Sequence, residues 1–393
     1  MERVVVCVTG ATGFVGGHIA VELLKSAPFH WVVRACVRCS ADDAKLSFLR
    51  AAEQEREQKE GRAAACARLE IARFDIDDDN NEQQDRDAFR DAAIVVHAAA
   101  KVAFESSQAD TEIVQPSLRG TQRVLMHLDR STTRLLLFLS SIAAVRSFDQ
   151  PDTHVFTEAD WNSWSTLANG DAYGYAKTAA ERMVRDFAQA ELQKQQQHRG
   201  HVPLQVVSVN PGVCLGPALA KAHTKASPLI VRQMLFANSL VADQQLAVVD
   251  ARDVARFVRM VAERALAGPS ATYVDYQRFV LVCDNLLLSE LAALLHNCAD
   301  LAQYDVRAVF DHPFKLWCKS WLMSPFWRES FARRCVLDGS HAVSEFRQAE
   351  SASGVEVDTG FSYTDIRDSL RDTALTMIRE FGITPRAKAT AAS

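Results

Sequence analysis

Six short runs of β-branched and apolar residues, RVVVCVT, WVVRACV, LEIARFD, AIVVHAA, RLLLFLS and LQVVSVN, are separated by segments of helical spacing or helix-forming composition. Runs of that length read as strands buried on both faces. Strands that alternate with helices pair in parallel, because each helix returns the chain to the same end of the sheet. An α/β protein is therefore expected, with a parallel sheet covered by helices on both sides. Residues 51–73, charged and then alanine-rich, are expected to prolong a surface helix before the third strand. QKQQQHRGH, 193–201, reads as a frayed helix end and solvated loop. After about residue 216 the pattern loosens.

Composition removes several classes of function. A chain of 393 residues with a net charge of −5 can bury a large core and offers no basic surface to nucleic acid. No apolar run reaches the length needed to span a bilayer; RLLLFLSSIAAV is strand-sized and broken by serines. The first strand begins directly after Met1 and Glu2, so no secretory leader is expected and the protein is read as soluble and cytoplasmic. Nine scattered cysteines suit reduced thiols. Cys36 and Cys39 form a C-x-x-C, but on a strand they point to opposite faces and no second pair stands near, so no metal is expected.

The first strand runs into VTGATGFVGGHIAVELL, which sets Gly10, Gly13 and Gly16 between a strand and an amphipathic helix. Glycines at such a turn let the backbone approach a pyrophosphate, and the helix N-terminus offers free N–H groups and a favourable dipole. A dinucleotide site is expected there. NAD sites usually carry an acid at the end of the second strand, to accept from the ribose 2′-hydroxyl. Here Arg38 stands in that place, and a guanidinium suits a 2′-phosphate. NADP(H) is therefore favoured, with NAD(H) as the alternative. Asp42 and Asp43 lie just beyond; Ser40 with Asp43 is read as a capping pair for the next helix.

GDAYGYAKTAAE, 170–181, holds two tyrosines ahead of one lysine in the first turns of a helix. Residues four apart share a helix face and residues two apart do not, so only Tyr173 can stand beside Lys177. A neighbouring ammonium favours phenolate and is expected to lower the Tyr173 pKa towards that of a working acid.

With these pieces in order, the chain resembles the extended short-chain dehydrogenase/reductase family. The likeness is strongest to its branch of dihydroflavonol, cinnamoyl-CoA and related aldehyde or ketone reductases. TGATGFVG is similar to that family's cofactor turn, VRACVRCSADDAK to its NADP-reading loop and FDIDD to its adenine contact. VVHAAAKVAF, IVQPSLRGTQRVL, with its internal proline, VVSVNPGVCLGPAL and LAVVDARDVARFV follow in the family's order. The resemblance implies a Rossmann-type doubly wound sheet over 1–215 and a smaller, mostly helical substrate-binding region over 216–385. About 246–283 would return to the sheet, and 386–393 would form a disordered tail. It implies cofactor contacts from Thr9, Gly10, Thr12, Gly13, Phe14, Val15 and Gly16, and from Arg38, Lys45, Asp75 and Ile76. Ala98, Ala99, Ala100, Pro211, Gly212 and Val213 join them, with Tyr173 and Lys177.

The family also implies a catalytic hydroxyl from the serine run in FLSSIAAV. Its last member, Ser141, is the match, and alternation turns Ser140 the other way. Hydride transfer to an aldehyde or ketone would then be completed by a proton from Tyr173, with Lys177 on the nicotinamide ribose and Ser141 on the carbonyl. Val102 and Phe104 are expected beside the substrate, a small molecule. A monomer or homodimer is expected. Asp171 and Ala172 stand where the cinnamoyl-CoA branch has asparagine and tryptophan, which leaves the substrate open. Rival readings on the same fold are a 3β-hydroxysteroid or sterol dehydrogenase and a sugar-nucleotide epimerase or dehydratase; a non-catalytic NADPH sensor is a third. Residues 312–334, dense in aromatic and basic side chains, suit a substrate cap, a membrane-surface contact or, the favoured reading, amphipathic packing.

Overall fold

The computed structural model describes residues 3–28, 30–41, 43–60, 68–78, 82–101, 108–197, 204–236, 239–240, 242–267, 276–304, 306, 309–310, 323–351 and 360–384. The first half alternates as the runs predict: β1 (Val4–Thr9), α1 (Phe14–Ser26), β2 (Trp31–Val37), α2 (Ser47–Glu60), β3 (Arg68–Arg73), α3 (Glu82–Phe89), β4 (Ala92–His97), α4 (Gln115–His127) and β5 (Leu135–Leu139). Then come β6 (Val155–Phe156), α5 (Ala172–Gln197), β7 (Gln205–Pro211), β8 (Val213–Leu215), α6 (Leu229–Leu235), β9 (Ser239–Leu240), β10 (Gln245–Asp250) and α7 (Ala251–Leu266). The remainder holds β11 (Tyr276–Leu281), β12 (Asp284–Leu287), α8 (Leu288–His296), β13 (Val309–Phe310), α9 (Pro325–Ala332), β14 (Val336–Leu337), α10 (Ser340–Ser351) and α11 (Ile366–Phe381).

Seven strands form one parallel sheet in the order β11-β7-β5-β4-β1-β2-β3. Six of them are the six apolar runs. The seventh, YQRFVL of β11, is half polar in sequence and is not among those runs; it joins the edge against β7. Side chains alternate across the sheet. Val6, Val8, Val33 and Ala35 pack with α1, α2 and α7 on one face, and Val5, Cys7 and Val32 pack with α3, α4 and α5 on the other. Both faces are buried, which is why the strands read as continuous apolar runs rather than as alternating ones.

The later elements build a second core. Leu215, Val231, Leu288, Leu291, Leu370 and Met377 pack α6, α8 and α11 against a small sheet of order β12-β10-β8. Asp250, fully buried at the start of α7, joins this region to the first: it bonds Arg252 at 2.7 Å and the Ser369 hydroxyl of α11 at 2.6 Å. The expected capping pair at 40–43 takes another form. Asp43 itself is the cap, its carboxylate accepting from the Lys45 amide at 2.8 Å, and Ser40 contributes only its backbone carbonyl. A single short side chain reaching its own second-next N–H satisfies that donor without a partner. A π-helical turn, Asp110–Val114, runs into α4, and Pro116 sits at that join, where an absent N–H costs little.

Candidate active site

The sheet order turns back on itself between β1 and β4, the arrangement that leaves a crevice at the carboxyl ends of two such strands. The turn after β1 fills one side of it. Gly10 has φ +69°, and a methyl there would stand 2.9 Å from the Cα of Ala99. A methyl on Gly16 would overlap the Gly10 carbonyl. The glycines thus serve two close approaches, turn onto helix and turn onto the strand beside it. Gly13 precedes α1 and gives it no side-chain cap, so the helix start is open to an anion. Thr9 locks the neighbouring strand end in place, its hydroxyl accepting from the amides of Ala98 and Ala99 at 3.1 Å each. The hydroxyl proton then goes to His97 Nδ1, 2.8 Å away, which leaves the His97 Nε2–H to meet Thr121. Burial, and next the charge of Lys177, push His97 down to about 3, so the ring is neutral.

The other expected cofactor contacts fall around this crevice. Thr12, Phe14 and Val15 lie in the glycine turn and the first turn of α1, and the Thr12 carbonyl is 3.1 Å from His223 Nε2. Ala100 follows Ala98 and Ala99 at the half-buried end of β4. Pro211, Gly212 and Val213 join β7 to β8; the Gly212 amide donates to the Leu281 carbonyl at 3.0 Å. Asp75 and Ile76 follow β3: the Asp75 carboxylate bonds the Asp77 amide, and Ile76 is buried against Gly120. Arg38 and Lys45 are exposed at the rim, with Arg38 Nη1 3.8 Å from Asp77 and Lys45 Nζ 3.7 Å from Asp43. Asp77 also pairs with Lys101 at 2.6 Å, so one carboxylate draws two cations to the rim. Val102 and Phe104 lie outside the described residues.

The structure brings Ser141 and Tyr173 together. Ser141 begins a 3-10 turn, its hydroxyl accepting from the Ala143 amide at 3.1 Å and lying near enough to the Tyr173 phenol to ease its deprotonation. Ser140 points the other way, onto Glu181 at 2.5 Å. Tyr175, two residues on, is 38% exposed on the far side of α5. One expectation needs correction. Burial pushes Tyr173 up to about 12, with the Ser141 hydroxyl acting in the opposite sense, instead of a cation drawing it down. The Lys177 ammonium is turned to the Leu139 carbonyl, 2.9 Å away, and lies 5.8 Å from the centre of the Phe138 ring. Burial pushes that ammonium down to about 8, with Glu181 acting in the opposite sense.

Asp171 caps this helix from below. Its carboxylate accepts from the Gly174 amide at 2.9 Å and from the Ser165 hydroxyl at 2.5 Å, and Ser165 is bonded by Asn162. An asparagine in its place would lack one acceptor, which gives the departure from the cinnamoyl-CoA pattern a local role. Of residues 312–334, 312–322 lie outside the described residues. In the described part, Phe326 is buried, donates its amide to Asn169 at 2.9 Å and stacks obliquely on Phe148, so α9 packs against the loop that leads to Asp171. Glu181, Asn210 and Arg278 were missed in the sequence; only the position of Glu181, four residues beyond Lys177, gave a signal. Among the described residues no cluster of His, Cys, Asp and Glu is arranged to hold a metal, and no helix is long and apolar enough to cross a membrane.

The profile of the NAD dependent epimerase/dehydratase family matches residues 6–274. The chain is 26% identical over 221 residues to dihydroflavonol 4-reductase of Arabidopsis thaliana, covering 55% of this chain and 50% of that protein. It thus spans about half the length of that curated relative. It is 29% identical over 266 residues to cinnamoyl-CoA reductase 1 of Oryza sativa subsp. japonica, covering 67% of this chain and 69% of that one. In fold it is similar to the solved yeast methylglyoxal/isovaleraldehyde reductase Gre2 complexed with NADPH: the TM-score is 0.68 at 19% identity, over 96% of this chain and 99% of the other.

Proposed function

The chain belongs to the NAD dependent epimerase/dehydratase family, and on that premise we propose that it is an NADP(H)-dependent oxidoreductase interconverting an aldehyde or ketone and its alcohol. The observation that carries this reading is the neighbouring pair Ser141 and Tyr173, with Lys177 one turn along, beside a glycine cradle whose shape a single methyl would spoil. The cradle fits a dinucleotide: the backbone comes within van der Waals reach on two sides and the open start of α1 accepts an anion. Arg38, with Lys101 beside it on the same carboxylate, would hold a 2′-phosphate.

A bound NADPH would supply the hydride. The protein supplies position and the proton. Ser141 donates to the developing oxyanion, which an aligned hydroxyl stabilises more strongly than the ground-state carbonyl. Tyr173 gives its phenolic proton to the same oxygen; at about 12 the phenol is fully protonated at neutral pH and so able to donate. Lys177 binds the cofactor ribose and, as a cation, favours the phenolate left behind. In the reverse direction the same groups accept the alcohol proton. The dihydroflavonol and cinnamoyl-CoA reductases among its relatives support a small or medium, fairly apolar aldehyde or ketone as substrate. The test is a panel of aldehydes, ketones, steroids and sugar nucleotides, followed by NADPH absorbance. Turnover of a carbonyl compound supports the reading. Tight NADPH binding with no turnover of any compound would replace it with a cofactor sensor.

A further inference from the structure

Glu181 lies one turn beyond Lys177 on α5 and is wholly buried. Four donors converge on its carboxylate. Oε2 accepts from the Ser140 hydroxyl at 2.5 Å and the Asn210 amide at 2.8 Å; Oε1 accepts from Arg278 Nε at 2.7 Å and the Tyr276 hydroxyl at 3.1 Å. These donors come from the end of β5, from β7 and from β11. A carboxylate so far from water persists only when paired and fully hydrogen-bonded. Its partner is held as firmly: Arg278 Nη1 donates to the carbonyls of Glu158 and Asp160 at 2.7 and 2.6 Å, and the guanidinium lies 3.9 Å from the centre of the Trp161 ring.

The cluster meets the active site in three places. Ser140 immediately precedes Ser141. Asn210 Nδ2 donates to the Ser141 carbonyl at 3.1 Å as well as to Glu181. Lys177 bonds the carbonyl of Leu139, the residue before Ser140. Three consecutive residues, Leu139 to Ser141, are therefore held by groups that share one helix face or end on one carboxylate. Among the described residues, the charged and titratable groups around Lys177 and Glu181 are His97 on β4, which is neutral, Tyr173, a neutral phenol on the same helix, Arg278 on β11, a cation paired with Glu181, and Asp171, bound up in the helix cap. Glu181 is the anion that acts on Lys177.

We propose that Glu181 is a positioning residue of the site: it fixes the Leu139–Ser141 turn opposite Tyr173 and places a buried negative charge one helical turn from Lys177. The proposal rests on the oxidoreductase reading for its catalytic consequence, but not for its charge effect.

The test follows the Lys177 side chain directly, by NMR titration of protein carrying 13Cε-lysine, with the signal assigned through Lys177→Met. In Glu181→Gln the Lys177 midpoint should fall by roughly one pH unit, and kcat for carbonyl reduction should fall with KM changed less. In Glu181→Asp, which keeps the charge but shortens its reach, the midpoint should stay near that of the wild type while kcat falls, because the Leu139–Ser141 turn loses its hold. A role confined to packing would leave the midpoint alike in both variants. A folded Glu181→Gln with an unmoved midpoint overturns the proposal, as does an equal fall of the midpoint in both variants. If Glu181→Gln does not fold, Glu181→Asp decides alone, and a midpoint lowered by a full unit or an unchanged kcat overturns the proposal. The titration needs no substrate, so a carbonyl panel without turnover would remove the reductase reading and leave this result standing.

Discussion

The hydroxyl of Ser140 is bonded to Glu181 at 2.5 Å, while that of the adjacent Ser141 acts on the Tyr173 phenol on the opposite side of the same chain turn. Two neighbouring serines thus serve two different networks. Tyr173→Phe deletes one hydroxyl and keeps the ring, so folding and NADPH binding should survive while turnover falls by about 10² to 10⁴. Tyr175→Phe should leave turnover intact. Initial rates by NADPH absorbance decide, and a dead Tyr175→Phe beside an active Tyr173→Phe would reverse the assignment.

The glycine cradle has a steric test. Gly10→Ala combines a left-handed φ with a contact at 2.9 Å to Ala99. The left-handed conformation alone costs about 1–2 kcal/mol in an L-residue. Chemical unfolding should show at least that loss, and fluorescence titration should show NADPH binding weakened with it. Full affinity in Gly10→Ala would mean that the turn does not carry the cofactor.

Cofactor choice is expected to follow the rim charges. Arg38→Ala should weaken NADPH by roughly tenfold or more and leave NADH nearly unchanged. Asp77 holds Lys101 and Arg38 where a phosphate would compete for them. Asp77→Asn should therefore raise NADPH affinity, by up to about fivefold for so exposed a pair. Equal changes for the two cofactors in either variant would remove these residues from the 2′-phosphate site.

Burial pushes Lys177 down to about 8 and Tyr173 up to about 12. Ribose binding by an ammonium is lost when the ammonium is. NADPH affinity should decline as pH rises through about 8, and Lys177→Met should be weaker but without that decline. A decline that persists in Lys177→Met belongs to another group.

Acid should unfold the protein through its buried histidines. Burial holds His18 down to about 4, His97 to about 3, and His223 also below the ordinary 6.5. Below pH 6.5 the unfolded chain takes up protons that the folded chain refuses. Their contribution is complete above that pH and is lost as pH falls towards 4, at no more than about 1.4 kcal/mol per pH unit for each histidine. Urea midpoints at pH 7.5, 6 and 5 measure the slope. His18→Gln, which can still donate to the Pro217 carbonyl, should flatten it; an unchanged slope would exclude His18.

Much of this protein was legible in its sequence because it rests on short-range rules. Apolar runs of strand length specify a parallel sheet buried on both faces, glycine spacing at a strand end specifies the cradle, and a four-residue spacing puts Tyr173 and Lys177 on one side of α5. Each depends on residues within a turn or two of one another. What the local pattern could not supply is the company those residues keep. β11, half polar, enters the sheet beside β7 and carries Arg278 to within 2.7 Å of Glu181, a residue 97 positions earlier. The same packing buries Tyr173 enough to raise its pKa and turns Lys177 to the Leu139 carbonyl. Periodicity tells a side chain which face of its own element it occupies. Which other element meets that face, and so what charge, hydrogen bond or exclusion of water awaits it, is decided by strand order and register, which are properties of the whole packed chain.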